Sequence, residues 1–592
     1  MSDERASRWR RFVGPAIILL AALLAVVPQL VRGNSCGHDF DFHLVSWLDA
    51  SQSWREGIVY PHWTPSANFG AGEPRFVFYP PVSWMLGAAL GLAAPWKAVP
   101  MLMTFLFLAG TGLATRALAR QSLADGPSTL AGCAALFSGY ALFTAYERSD
   151  FGELTGGFWI PLLLMLVFRD RNASGNVWRR AFDGSAVPLA VVVAGAWLSN
   201  LPLGVMASYL LAAVALVVAV LWRSWAPILR AAVGVVLGLG LATLYLLPAA
   251  IEQSWIDVSE AVNDPGYLIE NNWLFARHAN PTLELHDMEL LKASGIATTM
   301  IAVALAGIAI CRLRGRLPGR RSWWLPLALI PIVVLVLLFP ISDAVWHALP
   351  KLRFLQFPWR WLVVVQAPMG IFFASAIWVE RPRLRFAVLA VCAGAFLAAT
   401  LIAGLNFFQE CYQEDTIRSM VADYRAGTGF EGTDEFTPSY ADNSLLAMGL
   451  PAACLTSSPK TALGRASADE NLVWSSDQGS CDATFSAAPT RGRPAAEHLR
   501  IAGDVPHAGF LILRLRSYPA WQVRLNGKIF ARPPERTDGL IVVPVAKGPN
   551  EVTVDWTTTR DVLEGRWLSA IALVLLAALF AVERRFSQGR LS

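Results

Sequence analysis

The chain has 592 residues, of which 55% are hydrophobic and 16% are charged, and its mean hydropathy is +0.44. Soluble domains carry about a quarter charged residues, so this composition excludes an ordinary soluble protein. The net charge of +5 does not indicate a nucleic-acid partner, because the arginines fall in short clusters between apolar runs, as the positive-inside rule predicts. The sequence therefore predicts a polytopic α-helical membrane protein.

About twelve apolar runs are long enough, or nearly so, to cross a bilayer. The predicted spans are 12–31, 98–117, 129–146, 153–168, 187–199, 201–222, 231–250, 294–311, 323–340, 361–379, 386–404 and 567–582. Every second connection is rich in arginine, which predicts that both termini lie in the cytoplasm. The run 81–95 is too short to span, so we expect an interfacial helix on the outer surface.

This topology predicts three large segments outside the cytoplasm. They are an opening loop, 32–97; a second loop, 251–293; and a polar domain, 405–566, before the final helix and cytoplasmic tail, 567–592. The second half of the polar domain alternates apolar and polar residues, and Asn526-Gly527 between two such runs indicates a hairpin. We expect a mostly β, sandwich-like domain attached to a transmembrane module, 1–404.

The opening loop carries Asp39, Asp41 and His43 directly after the first span. A carboxylate at this boundary, with a histidine partner, can take a proton from an acceptor hydroxyl or help to bind a divalent cation such as magnesium or manganese. Acids at this position also cap helices, so the pattern alone leaves both interpretations open, and it does not decide between the two aspartates.

Two further polar clusters fall at predicted outer ends of spans. The first is Arg148, Asp150 and Glu153, which either orients an acceptor or a metal, or simply seals a helix end. The second contains Lys351, Arg353 and Arg360 among aromatic residues. Cations on the outer side run against the positive-inside bias, so they indicate a lipid-linked phosphate or contact with lipid headgroups.

Seven cysteines are present, and four of them fall in segments predicted to lie outside. Four cysteines allow three pairings. We expect Cys454 to pair with Cys481, and Cys36–Cys411 is the second expected pair.

Several motifs, taken in their order along the chain, resemble the GT-C class of membrane glycosyltransferases. They are G-x-D-x-x-x-H at 37–43, YPHW at 60–63, N-x-G-A-G-x-P at 68–74, FYPP at 78–81, R-x-D-x-x-E at 148–153, LQFPWRW at 355–361 and YPAWQVRLNGK at 518–528. The order is similar to that of bacterial proteins called 6-pyruvoyl-tetrahydropterin-synthase-related membrane proteins, with the YfhO-like proteins as cousins.

The resemblance implies a bacterial inner-membrane enzyme that takes a sugar from a polyprenyl-phosphate donor and passes it, with inversion, to a glycan, lipid or protein. Asp39, or else Asp41, matches the acid that serves as base or metal ligand, and Glu153 is the candidate second metal ligand. Arg353 or Arg360 would neutralise the departing phosphate. The alternatives are a transporter or flippase for lipid-linked glycans, and a non-catalytic envelope assembly factor.

Overall fold

A computed structural model describes residues 2–170, 175–259, 263–463, 465–466, 472–473, 481, 488–489, 496–531 and 533–588. The predicted tail residues 589–592 lie outside these ranges. The helices are α1 Ser2–Ala25, α2 Val27–Arg32, α3 Phe40–Arg55, α4 Arg75–Phe78, α5 Pro81–Ala93, α6 Val99–Ala119, α7 Asp125–Leu136, α8 Gly139–Phe143, α9 Phe151–Leu154, α10 Gly156–Val167, α11 Val177–Ala181, α12 Ala186–Ser199, α13 Leu201–Trp222, α14 Ala226–Glu252, α15 Glu284–Leu313, α16 Arg321–Leu337, α17 Asp343–Ala348, α18 Leu362–Ile377, α19 Pro382–Asn406, α20 Ile417–Ala426 and α21 Arg560–Gln588.

Every predicted span coincides with a helix or a pair of consecutive helices. Within the described residues, seven helices are long and apolar enough to cross a membrane, and two bent pairs raise this number to nine. The bend of 41° between α7 and the segment Gly139–Arg148 lies inside the predicted span 129–146, whereas the bend of 97° between α16 and the segment Pro340–Ala348 lies at the end of the predicted span 323–340. The protein is thus a multi-pass membrane protein, and the count of twelve crossings stays a prediction.

Small residues let the helices of the bundle pack closely. A Cβ atom on Gly132 of α7 would lie 2.4 Å from the carbonyl oxygen of Gly112 on α6, and one on Gly370 of α18 would lie 2.5 Å from that of Ala131. Such contacts between backbones are typical of helices that associate in membranes. The helix α18 is buried along almost its whole length at the centre of this packing.

Within the ranges that the structure describes, the strands lie between α20 and α21. They are β1 Ala447–Met448, β2 Ala453–Thr456, β3 Arg465–Ala466, β4 Leu472–Val473, β5 Ala488–Pro489, β6 His498–Val505, β7 Gly509–Arg516, β8 Trp521–Leu525, β9 Lys528–Ile529, β10 Leu540–Val545 and β11 Gly548–Trp556. They form sheets in the orders β1-β4-β3, β10-β7-β2 and β5-β6-β11-β8-β9. The β8–β9 hairpin confirms the prediction from Asn526-Gly527, whose φ angles of 50° and 77° are those of a tight two-residue turn.

Two of the sheets enclose a common apolar core. Leu511 and Leu513 of β7 meet Val523 of β8 and Val552 of β11 there, while Ile512 points to the opposite face of its sheet. This alternation follows from the two-residue period of a strand, and it gives the C-terminal β domain that the sequence predicts. The opening loop also enters this core through Trp63, so the sheets pack directly on the membrane module.

The opening loop is largely helical, and contacts fix it at two places, one near its start and one farther along. A disulfide joins Cys36 to Cys411, just beyond α19. Farther along, the buried Glu73 accepts hydrogen bonds from Arg75 at 2.6 Å and from the backbone N–H of Thr433 at 2.8 Å. These contacts hold α3 and its neighbours against the segment that leads to the strands. A second disulfide joins Cys454 to Cys481.

Candidate active site

The backbone before α3 fixes the position of Asp39. Its N–H donates to the carbonyl oxygen of Arg148 at 2.9 Å, and the N–H of His38 donates to that of Glu147 at 3.3 Å. At Gly37 a Cβ atom would lie 2.5 Å from the Glu147 carbonyl oxygen. The glycine therefore permits the opening loop to lie directly on the short π-helix Thr144–Arg148, and the nearby Cys36 disulfide holds it there.

The side chain of Asp39 does not cap the helix whose N-cap position it occupies. Its Oδ2 instead lies 3.4 Å from a guanidinium nitrogen of Arg148, and 38% of the side-chain surface remains exposed. Asp41 is exposed, and its Oδ1 accepts from the N–H of the adjacent Phe42. Of the two aspartates, Asp39 is thus the one in the polar cluster, with one side open to a second molecule.

The carboxylate of Glu153 contacts both Arg148 and Arg360, which belong to different motifs. Its Oε2 accepts from Arg148 at 2.8 Å and lies 3.2 Å from Nε of Arg360, while the hydroxyl of Tyr140 donates to Oε1. Its carboxylate is completely buried. The stretches 37–43, 148–153 and 355–361, far apart in the sequence, therefore meet at one network of ion pairs and charged hydrogen bonds.

Aromatic rings cover the arginines of this network. The guanidinium carbon of Arg148 lies 5.2 Å from the ring centre of Trp359, and that of Arg360 lies 5.0 Å from the ring centre of Phe357. Cations over aromatic faces are stabilised by the ring quadrupole. The rings of the FPWR stretch thus help to keep both guanidinium groups fixed where they contact Glu153.

Burial and nearby charges have opposite effects on the pKa values of Asp39 and Asp150. Desolvation raises the pKa of Asp39 to about 7 against the lowering effect of Arg148, a shift that water at the exposed side of the carboxyl makes smaller. At Asp150 burial also acts to raise the pKa, but the positive charge of Arg148, with a smaller contribution from Arg360, holds it below the usual 3.8. Asp39 is therefore the more basic carboxylate of the two.

His43 does not accompany Asp39 at the open side of the cluster. Its ring is fully buried, with the rings of Phe151 and Tyr79 at 5.1 Å and 5.7 Å, and neither ring nitrogen has a hydrogen-bond partner among the described residues. Burial lowers its pKa to about 4. No hydrogen bond among the described residues links His43 to Asp39, and its role as the partner of the base stays a prediction.

The three cations of the segment 351–360 differ in burial and pairing. Arg360 is buried and paired with Glu153. Lys351 and Arg353 are exposed on the turn that precedes it, with the Lys351 ammonium 4.6 Å from the ring centre of Phe354. Only the exposed pair is free to meet a large phosphate group without rearrangement.

The donor set around Asp39 and Glu153 does not fit the divalent cation that the sequence suggests. A cation needs free carboxylate oxygens, whereas both oxygens of Glu153 already accept from Arg148 or Tyr140. The guanidinium group of Arg148 also lies between the two carboxylates. The positive charge that a metal would supply is already present as arginine.

A separate polar group escaped the sequence analysis. Ligand atoms of Glu270, Asp343 and His347 lie within 4.8 Å of one another, with His347 Nε2 at 3.1 Å and 3.3 Å from the two carboxylates. Asp343 and His347 lie one helical turn apart on the same helix face, and this spacing could have indicated these two members of the group from the sequence. Glu270 and His347 are exposed, and contacts among the three side chains account for the cluster.

Comparison with known proteins adds little to this geometry. No protein-family model matches the chain, and no curated protein matches its sequence. Among solved structures, similarity extends to the arabinofuranosyltransferase AftD from Mycobacteria, with 20% identity over 68% of this chain and a TM-score of 0.40. It extends also to an Archaeoglobus fulgidus oligosaccharyltransferase in the apo form, with 11% identity over 73% of this chain and a TM-score of 0.44.

A third similar structure is the oligosaccharyltransferase AglB from Archaeoglobus fulgidus in complex with an inhibitory peptide and a dolichol-phosphate, with 12% identity over 73% of this chain and a TM-score of 0.37. In these three matches the chain spans 27% of the AftD chain and 61% of each oligosaccharyltransferase chain. At these values the likeness carries no conclusion about function.

Proposed function

We propose that the protein is a GT-C-type membrane glycosyltransferase that moves a sugar from a polyprenyl-phosphate-linked donor to an acceptor hydroxyl of a glycan, lipid or protein. The observation that supports this most strongly is the convergence of three separate motifs on one network that leaves Asp39 partly open beside Arg148. Assignment to the 6-pyruvoyl-tetrahydropterin-synthase-related group, and the location on the outer face of a bacterial cytoplasmic membrane, belong to the same proposal.

The reaction is a single displacement with inversion. The Asp39 carboxylate takes the proton of the acceptor hydroxyl while that oxygen attacks the anomeric carbon. The bond between the anomeric carbon and the phosphate oxygen breaks, and its electron pair leaves with the polyprenyl phosphate. A positioned general base contributes roughly 100- to 10,000-fold to such a rate, and a carboxylate with a raised pKa is better suited to it than an ordinary one.

The remaining charged residues have distinct roles in this mechanism. Arg148 holds the Asp39 carboxylate in place, and Glu153 with Arg360 holds Arg148. Arg360 is thus a positioning residue and not the phosphate ligand that the sequence suggests. The exposed Lys351 and Arg353 are the groups that stabilise negative charge growing on the departing phosphate.

A transfer assay tests the proposal. Purified full-length protein in lipid is given a panel of radiolabelled polyprenyl-phosphate sugars with membrane extract as the source of acceptor, and release of polyprenyl phosphate is measured. We expect one donor to be consumed, with the labelled sugar appearing on a new product. Loss of Lys351 and Arg353 charge by replacement with glutamine should reduce this turnover, while Lys460→Gln in the strand-bearing segment should not.

The alternative functions give different results in the same preparation. A flippase moves labelled donor across sealed vesicles without releasing polyprenyl phosphate, and an assembly factor binds donor without either change. If no donor of the panel is consumed and one of them crosses the bilayer in a protein-dependent manner, the transferase proposal is wrong.

A further inference from the structure

The tyrosine of the FYPP stretch has no role in the mechanism above, although it lies beside the candidate active site. Tyr79 is partly exposed, and its ring packs on the rings of Phe42 and His43 at 4.7 Å and 5.7 Å between centres. The indole N–H of Trp84 donates to the carbonyl oxygen of Tyr79 at 3.3 Å. Tyr79 is therefore held next to the first turn of α3, the helix whose N-cap position is Asp39.

Three polar groups from separate segments surround Gly152. A Cβ atom on this glycine would lie 3.1 Å from the hydroxyl oxygen of Tyr79. It would also lie 3.1 Å from the carbonyl oxygen of Ser199 and 3.3 Å from the side-chain nitrogen of Asn200, where α12 ends and α13 begins. Because Gly152 belongs to the motif 148–153, the three groups lie directly beside the charged network, and no side chain at this position fills the space between them.

The groups at the end of α12 have hydrogen-bonding capacity to spare. Oδ1 of Asn200 accepts from the backbone N–H of Leu203 at 2.9 Å and caps α13. The amide nitrogen of Asn200 donates to no residue in the part of the chain that the structure describes, although only 6% of the residue is exposed and buried polar groups are normally satisfied. The carbonyl group of Ser199 lies in the last turn of its helix, where carbonyl groups have no partner within the helix.

The hydroxyl of Tyr79 can also take a further partner. It contacts the hydroxyl of Ser83, and a hydroxyl both donates and accepts. Burial raises the pKa of Tyr79, and the negative charges of Asp150 and Asp39 add to this effect. The group therefore stays protonated, able to donate to a molecule bound near either aspartate.

We propose that Tyr79 and Asn200 bind a hydroxyl group of a saccharide beside Asp39. A sugar hydroxyl accepts from the amide of Asn200 or the hydroxyl of Tyr79 and donates to a carbonyl oxygen, so these neutral groups suit it. A phosphate favours cations, and the two aspartates would repel it. The inference rests on the proposed function and names a binding site for its substrate, which is the saccharide of either the donor lipid or the acceptor.

Binding of each radiolabelled polyprenyl-phosphate sugar of the panel is compared with binding of polyprenyl phosphate without sugar, on purified full-length protein in lipid. Tyr79→Phe removes only the hydroxyl, and Asn200→Ser removes the amide donor while it keeps an oxygen that can cap α13. For a donor saccharide, each variant should weaken binding of the sugar-bearing lipid roughly three- to tenfold, the contribution of one neutral hydrogen bond, and leave the bare lipid unaffected.

An acceptor saccharide gives a different result. Both variants should then bind the donor lipid normally and raise the KM for the acceptor by the same factor in the transfer assay, with little change in kcat. The matched control is Tyr412→Phe, because Tyr412 is 75% exposed on the segment that follows α19 and should alter neither constant. Unchanged thermal unfolding shows that the variants fold.

The inference is overturned if Tyr79→Phe and Asn200→Ser change neither constant, which is the result expected of a gap that holds only water. It is also overturned if they weaken binding of bare polyprenyl phosphate as much as that of the sugar-bearing lipid. Normal transfer by both variants, with an active unmodified protein, removes this binding site alone. If the unmodified protein neither binds nor consumes any sugar-bearing lipid, the proposed function fails with it.

Discussion

Replacing Arg148 by glutamine should raise the pKa of Asp39, because Arg148 is the cation that most strongly opposes the effect of burial there. The variant removes the positive charge at 3.4 Å from Asp39 Oδ2 and leaves Glu153 paired with Arg360 and Tyr140. In this variant the carboxyl groups of Asp39, Asp150 and Glu153 share the single guanidinium group of Arg360. Protonation of Asp39, the most exposed of the three, therefore becomes easier.

The distance gives the size of the effect. Two unit charges 3.4 Å apart interact by about 1 kcal/mol in bulk water and by about 5 kcal/mol at an effective dielectric constant of 20. Because 38% of the Asp39 side chain is exposed, the lower part of this range applies after solvent screening. At about 1.4 kcal/mol per pKa unit, the pKa of Asp39 should rise by roughly one to two units from its value of about 7.

Infrared difference titration of the protonated carboxyl band measures this pKa without a substrate, with Asp39→Asn to assign the band. Arg148→Lys keeps the charge and should leave the titration close to that of the unmodified protein, and Arg32→Gln, on a different ion pair with Glu410, should leave it unchanged. If Arg148→Gln does not move the Asp39 band, then Arg148 does not control the charge of the proposed base.

Three further results are expected. Glu73→Ala leaves the buried Arg75 without its ion-pair partner and should lower the free energy of unfolding by about 3 to 5 kcal/mol, as measured by denaturation in detergent. Glu431→Ala, at an exposed position, should change this free energy little. Equal losses in the two variants would contradict the importance of the pair. Cys36→Ser, which opens the bond to Cys411, should lower turnover and speed proteolysis of the opening loop, and unchanged proteolysis would show that the bond is dispensable. A chelator should leave the rate of transfer unaltered, since arginines occupy the carboxylate that a metal would need, and a loss restored by magnesium would refute this.

Local sequence patterns predicted the secondary-structure elements whose formation depends on residues close to one another in the sequence. Hydropathy found the helices, and Asn526-Gly527 found its hairpin, because a two-residue turn with positive φ angles favours these residues in any context. The bend between α7 and α8 was missed, because an apolar run does not show where a helix changes direction.

The candidate site required contacts that no local pattern contains. The choice between Asp39 and Asp41 depends on the backbone carbonyl and the guanidinium of Arg148, and the burial of His43 depends on rings from other segments such as Phe151. The Glu73–Arg75 pair was also missed, although two opposite charges in an otherwise aromatic stretch could have indicated a buried ion pair.

The central claim is that Asp39 is the base, and the most direct test is single-turnover transfer from the active donor by Asp39→Asn and by Asp41→Asn. The account predicts that Asp39→Asn loses roughly 100-fold or more of the rate while its thermal unfolding stays the same, and that Asp41→Asn, with the same loss of charge two residues away, transfers normally. It also predicts that the rate of the unmodified protein falls as the pH drops below the raised pKa of Asp39. Transfer by Asp39→Asn at the normal rate, or a greater loss in Asp41→Asn, would contradict the account.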